Sequence, residues 1–136
     1  MLPKKYYILL LIGLLLIATP FESFFTIQSP GWHTIIPATS YLEVFVFLYV
    51  LIITSIYWRI SSEKINIKLF FFHFIFCLPI VIYARFNHLL RHFFSNHTND
   101  TLVLVKHLTL TATISFTLFL IAQIFFISQL KGTKKR

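Results

Sequence analysis

Four long apolar runs, each near the length needed to cross a lipid bilayer, constrain this chain more than any other feature. They cover about residues 6–25, 41–58, 65–84 and 102–130. A helix needs about 20 apolar residues to cross the hydrocarbon core. Apolar residues fill whole turns here, whereas a soluble helix would alternate apolar and polar faces. The sequence therefore predicts an all-α polytopic membrane protein, a single membrane domain over residues 1–136 built as a four-transmembrane-helix bundle.

Composition and charge support this class. Only 12% of the residues are charged and 57% are hydrophobic, whereas about 25% of the residues in an ordinary soluble domain are charged. The net charge of +8 does not require nucleic acid as a partner, because basic residues beside transmembrane ends follow the positive-inside rule. The lipid bilayer is the partner that the composition indicates.

The distribution of basic residues predicts the orientation. Nine of the twelve Lys and Arg residues fall on the side that holds both termini, and only Arg85, Arg91 and Lys106 fall on the other. Both termini are therefore expected in the cytoplasm.

The first run also fits a signal peptide, but the absence of a small-residue cleavage site favours a retained span. The abundance of Ile, Phe and Lys indicates an AT-rich genome and hence a bacterium. The membrane would then be the bacterial cytoplasmic (inner) membrane. Aromatic residues near span ends predict an interfacial belt: Tyr6, Tyr7, Tyr41, Tyr57, Trp58 and Tyr83.

Ionisable residues near the predicted outer ends of the spans are the first candidates for a site. Such groups are costly in hydrocarbon and normally face a partner. Glu43 lies just inside the second span, His107 about 7 Å inside the fourth, Arg85 ends the third, and His33 lies in the first outer loop. His33, Glu43, His88 and His107 are expected to share one polar pocket at the outer interface, with Arg85 close enough in depth to pair with Glu43.

Two pairs of histidines are candidates for binding a metal or a haem. His88 and His92 are four residues apart, a spacing that lets two imidazoles share one metal on a helix, although the same spacing also suits a basic juxtamembrane turn. A haem between His73 and His107 is disfavoured because their predicted depths differ by about 9 Å. His73 is expected to hydrogen-bond a neighbouring helix instead.

Residues at helical spacing predict how the third and fourth spans pack. A stripe at helical spacing is expected to line the bundle interior, and Pro79 is expected to kink the helix: the stripe is His73, Cys77, Ile80, Ala84, His88 and Arg91. The fourth span carries hydroxyl side chains around its whole circumference, which are expected to bond backbone carbonyls four residues back or to allow close helix contact: Thr109, Thr111, Thr113, Ser115 and Thr117.

The segment Pro30-Gly31-Trp32-His33-Thr34-Ile35, followed by Pro37, resembles a Pro-Gly-Trp-His segment of the polysulfide-reductase-type membrane subunits. That segment precedes a span near a quinol site, although the family has about twice as many spans. The resemblance covers some twenty residues and implies that His33 and a carboxylate hydrogen-bond a quinone at the outer interface.

Two functions are compatible with these features. The first is a small accessory or assembly subunit of a larger membrane complex, with a respiratory complex favoured, lacking catalytic activity of its own and contacting other membrane subunits. The second is a stand-alone carrier or redox or metal-binding protein that uses the outer His/Glu cluster. Quinone is the one cofactor that the residues suggest.

Overall fold

The computed structural model describes residues 4–21, 38–60, 62–97 and 101–134, and every regular element in these ranges is helical. The helices are α1 (Lys4–Ala18), α2 (Ala38–Arg59), α3 (Ile67–His97) and α4 (Thr101–Lys134), with a short 3₁₀ turn at Ser62–Lys64 between α2 and α3. The predicted all-α class is confirmed.

Three helical stretches within the described residues are long and apolar enough to cross a membrane: Tyr41–Arg59, Ile67–Asn87 and Leu102–Gly132. The first helix is shorter than the predicted span over residues 6–25, because α1 ends at Ala18 after 15 residues, or about 22 Å. Pro20 explains this end: a proline supplies no amide donor, and its ring clashes with the carbonyl four residues back. The Thr19 hydroxyl donates to the Leu15 carbonyl at 2.9 Å and closes the last turn.

The connection between α2 and α3 is short and places the end of one helix beside the start of the other. Asn66 begins α3, since its side-chain oxygen accepts the amides of Lys68 at 3.1 Å and Leu69 at 3.5 Å. Helix α3 contacts all three other helices and shares its largest contact with α4. It is thus the central helix of the bundle.

Helices α3 and α4 lie antiparallel along their full length. Phe72 stacks on Phe125 near one end (ring centroids 5.2 Å apart), and Phe94 stacks on His107 near the other (5.4 Å). At 31 residues, α3 is nine residues longer than α2, which has 22. Helix α2 ends, and α3 begins, at the same short connection. The far end of α3 therefore lies about 13 Å beyond the far end of α2.

The bend in α3 lies at Phe86, whose backbone angles are non-helical (φ −112°, ψ 17°). The Asn87 side-chain amide donates to the Ala84 carbonyl at 3.1 Å and so bonds an acceptor at this bend. Pro79 lies inside the helix, but the departure from helical geometry comes seven residues after it. The apolar part of α3 also ends here, at Asn87.

The interior contains two groups of buried residues. The group near the α2–α3 connection is aromatic and includes Tyr7, Tyr57 and Phe70; the other group has smaller residues such as Cys77, Ala84 and Ala122. The predicted interior stripe is confirmed from His73 to Ala84, where His73, Cys77, Ile80 and Ala84 are all buried. It is wrong at Arg91, which is exposed because α3 there extends past the end of α2.

The predicted aromatic belt is only partly present. Tyr41 and Trp58 are well exposed, as expected of interfacial residues, whereas Tyr7 and Tyr57 are buried. Tyr57 is drawn inward because its hydroxyl finds a hydrogen-bond partner inside the bundle, on His73.

Candidate functional site

A hydrogen bond between Tyr57 of α2 and His73 of α3 lies at the centre of the aromatic interior. The Tyr57 hydroxyl and the His73 Nδ1 are 3.1 Å apart, and both side chains are almost fully buried. When the Tyr57 hydroxyl donates, the ring proton of His73 lies on Nε2. The expectation that His73 bonds a neighbouring helix is confirmed, and the bond connects two helices at a depth where water is absent.

Aromatic rings enclose the imidazole on both sides. His73 stacks on Phe126 of α4 at 4.9 Å between centroids and faces Tyr57 at 5.8 Å. Phe70, one turn earlier on α3, packs edge-on against Tyr57 at 5.2 Å. Three helices therefore hold one histidine ring, and the packing on its faces fixes the ring's orientation.

Further buried polar atoms lie next to this stack. His73 Nε2 and both amide atoms of Gln129 are buried and have no hydrogen-bond partner in the described structure. Gln129 lies three residues, about one turn, from Phe126 on the same helix. A buried polar group without a partner costs about 1–3 kcal/mol. These atoms offer both donors and acceptors, so the cluster can hydrogen-bond a small polar molecule.

A second polar contact joins α2 to α4 farther from the α2–α3 connection. The Tyr49 hydroxyl donates to the Gln123 side-chain oxygen, and the Gln123 amide nitrogen donates to the Phe119 carbonyl at 2.9 Å. The Cys77 thiol of α3 lies beside Tyr49 and Gln123. Long side chains thus bridge α2 and α4, whose backbones approach each other less closely than those of α3 and α4.

Among the residues expected at the outer pocket, those that the structure describes do not all lie at one level. Glu43 and Arg85 lie about 24 and 27 Å from the α2–α3 connection along their helices, so they share a depth. Glu43 is half-buried, and the Arg85 guanidinium lies 5.7 Å from the ring centroid of Phe21. His33 lies outside the described residues. The quinone site therefore stays a prediction, now centred on Glu43 and Arg85.

His107 lies farther out than Arg85. It is exposed and stacks on Phe94, which is nine residues, about 14 Å, beyond Arg85 on α3. His107 therefore lies beyond the far end of α2 along the α3–α4 pair, and its depth of about 7 Å inside a span stays a prediction. Since Phe94 is 21 residues along α3 from His73, the two histidines are about 30 Å apart and cannot ligate one haem.

The proposed His88 and His92 metal pair lies on the outer part of α3. His92 is exposed, and the side chain of His88 lies outside the described part of the structure. Over the described residues, no three His, Cys, Asp or Glu side chains are grouped to hold a metal ion.

The hydroxyl side chains of α4 mostly return to the backbone, as expected. Thr111, Thr113 and Thr117 each donate to the carbonyl four residues back at 2.8–2.9 Å. Ser115 differs from these because it is buried, whereas Thr113 and Thr117 are exposed. Of the hydroxyl positions, Ser115 is the one that faces the bundle.

Sequence reasoning missed the amide residues, because it looked only for ionisable and hydroxyl groups. Gln123 and Gln129 stand in an apolar run, where an amide needs a partner much as a histidine does. That signal, together with Tyr49 in the middle of α2, could have identified the interior polar contacts.

No family model, curated protein or solved structure matches this chain. Its function is inferred from the lengths of the helices and the placement of its polar and apolar side chains.

Proposed function

We propose that this chain is a small integral-membrane subunit that assembles with other membrane proteins and has no catalytic centre of its own. The observation that carries the proposal is the exposure of α4: of its apolar stretch Leu102–Gly132, only Ser115, Phe119, Ala122 and Gln129 are buried within the chain. A helix that is apolar all round must be covered by lipid or by protein. Lipid can cover only the part of this helix that lies within the bilayer.

The interior supports a structural role. Its polar contacts, between Tyr57 and His73 and between Tyr49 and Gln123, join helices to one another. Interhelical hydrogen bonds of this kind hold helices together in a membrane, where the hydrophobic effect does not. A respiratory complex as the partner rests on the resemblance of residues 30–37 alone, and an associated quinol would lie nearest Glu43 and Arg85.

Four spans with both termini in the cytoplasm are part of the proposal. Residues 62–64 should then face the cytoplasm, and the far end of α3 should face outward. In a Cys77→Ala background, an impermeant maleimide applied from outside should label Ser29→Cys and Ser95→Cys but not Ser62→Cys. Labelling of Ser62→Cys from outside would overturn this topology.

Purification in a mild detergent tests the subunit proposal directly. A tagged chain should migrate in native gels well above its own 16.1 kDa plus detergent and should retain one partner at fixed stoichiometry. A monodisperse single chain without a stoichiometric partner would contradict the proposal. Visible absorption or bound metal in that single chain would favour the stand-alone redox or metal protein instead.

A further inference from the structure

Beyond the far end of α2, α3 and α4 continue as a pair, which we call the outer arm: residues 88–97 of α3 and 101–112 of α4. The apolar stretch Tyr41–Arg59 of α2 is 19 residues, about 28 Å, and matches the hydrocarbon thickness of about 30 Å. At the same depth, the apolar stretch of α3 ends at Asn87. The ten residues of α3 that follow carry the arm about 15 Å past the hydrocarbon boundary.

Tilting does not bring the whole arm into the hydrocarbon core. The apolar stretch of α4 is 31 residues, about 46 Å, and transmembrane helices tilt by at most about 40°, which leaves about 35 Å along the membrane normal. This length still exceeds the hydrocarbon thickness of about 30 Å. The tip of the arm therefore stands clear of the acyl chains that cover the rest of α4.

The surface of the arm is apolar nonetheless. Five large apolar side chains on it are more than half exposed: Leu89, Phe93, Leu102, Val105 and Leu110. A water-facing hairpin of this size normally shows polar residues at such positions, and clustered exposed apolar residues mark an interaction surface. The stack of Phe94 on His107 keeps the two helices of the arm together, so the surface is preformed.

The charge of the arm indicates what kind of surface would cover it. Arg91 and Lys106 are exposed on it, and the one acidic residue in the sequence of residues 88–112 is Asp100, in the connection between the two segments. A surface with apolar side chains surrounded by carboxylates would complement both features. Anionic lipid headgroups would complement only the basic residues of the arm, because headgroups offer no apolar surface at the level of Val105.

We infer that the outer arm is the docking surface of this subunit, and that it binds an acidic, apolar-centred extramembrane surface of a membrane-protein partner on the side opposite the termini. This inference rests on the proposed function, since it names where the partner binds and with what chemistry.

Site-specific photo-crosslinking in intact cells tests the inference. A photoreactive phenylalanine analogue at Leu89 or Val105 should cross-link to one protein whose linked peptide is acidic, whereas the same probe at Ile52 or Ile75, exposed at hydrocarbon depth, should not. Lys106→Glu should reduce the cross-link about tenfold or more, because like charges across an interface are strongly unfavourable. Lys131→Glu makes the same change at the cytoplasmic end of α4 and should leave the cross-link unchanged.

The other outcomes overturn the inference. Cross-links from the arm to phospholipid alone, or to a second copy of this chain, would show that the arm is not a docking surface for a partner. A partner that cross-links only from Ile52 or Ile75 would also refute the arm but would leave the subunit proposal standing. No protein cross-link from any position, together with no partner in mild detergent, would refute both.

Discussion

Two stacks of histidine on phenylalanine lie near opposite ends of the α3–α4 pair, and their surroundings differ. His73 on Phe126 is sealed inside the bundle and hydrogen-bonds Tyr57, whereas His107 on Phe94 is exposed on the outer arm. The residues in contact are the same types in both places. What differs is the number of helices at that level: α1 and α2 surround the first stack, and neither helix extends as far as the second.

The largest effect should come from the aromatic interior. Phe70→Ala removes a ring that is fully buried against Tyr7 and Tyr57. We expect a loss of about 2–3 kcal/mol in the free energy of unfolding, below the ~3–5 typical of soluble cores, because surrounding lipid is as apolar as the interior. Cys77, the single and buried cysteine, allows unfolding in detergent to be followed with a thiol-reactive dye.

Phe93→Ala is the matched control on the outer arm, where the ring is 57% exposed. Its unfolding temperature should remain close to that of the unmodified chain. Equal losses for Phe70→Ala and Phe93→Ala would remove the distinction between the sealed interior and the exposed outer arm.

A second change sharpens the comparison along α4. Ser115→Leu places a bulky side chain at a buried position, and overpacking costs about 1–3 kcal/mol. Thr117→Leu makes a similar replacement two residues away on an exposed face and should be nearly neutral, as should Leu120→Ala. If Thr117→Leu or Leu120→Ala lowers the unfolding temperature more than Ser115→Leu does, α4 faces the bundle through a different side.

The Tyr57 hydroxyl should contribute less than the rings around it. Tyr57→Phe removes the bond to His73 Nδ1 and keeps the ring contacts, so we expect a loss of about 1 kcal/mol, within the ~0.6–1.7 kcal/mol measured for interhelical hydrogen bonds. A double-mutant cycle with His73→Phe isolates the bond. Additive effects in that cycle would mean that the hydrogen bond contributes nothing, and Tyr6→Phe, at an exposed position, provides the baseline.

The smallest effect is expected at the arm itself. Val105→Asn should change the free energy of unfolding by less than about 0.5 kcal/mol in the purified chain, because the side chain is already exposed. If the arm binds a partner, the same substitution should weaken co-purification in mild detergent. A clear drop in the stability of the isolated chain would indicate that Val105 packs within this chain.

Much of the fold was predictable because membrane insertion leaves strong signals in sequence. Apolar length identified α2, α3 and α4, and the stripe from His73 to Ala84 identified the buried face of α3. The early end of α1 was also predictable from Pro20, because a proline ends a helix even where apolar residues follow it. The separation of His107 from Arg85 was not predictable from apolarity, because α4 is apolar along almost its whole length and carries no mark of where α2 ends beside it.

The interior polar contacts were harder to predict. Which rotation of α4 brings Gln123 to Tyr49, or Phe126 to His73, depends on packing among three helices. A helix that is apolar on every side carries no pattern to specify that rotation. Likewise, the bend at Phe86 has no sequence marker as strong as Pro79, where a bend was expected.

The close pairing of α3 with α4 also bears on the order in which the chain assembles. These two helices follow one another in sequence and share the largest contact in the bundle, and α1 and α2 share the next largest. Contacts between neighbours in sequence form with little loop-closure entropy, so each pair can form as its second helix inserts. The bonds from Tyr57 to His73 and from Tyr49 to Gln123 connect the first pair to the second. They therefore belong to the last step of assembly, in which two preformed hairpins dock side by side.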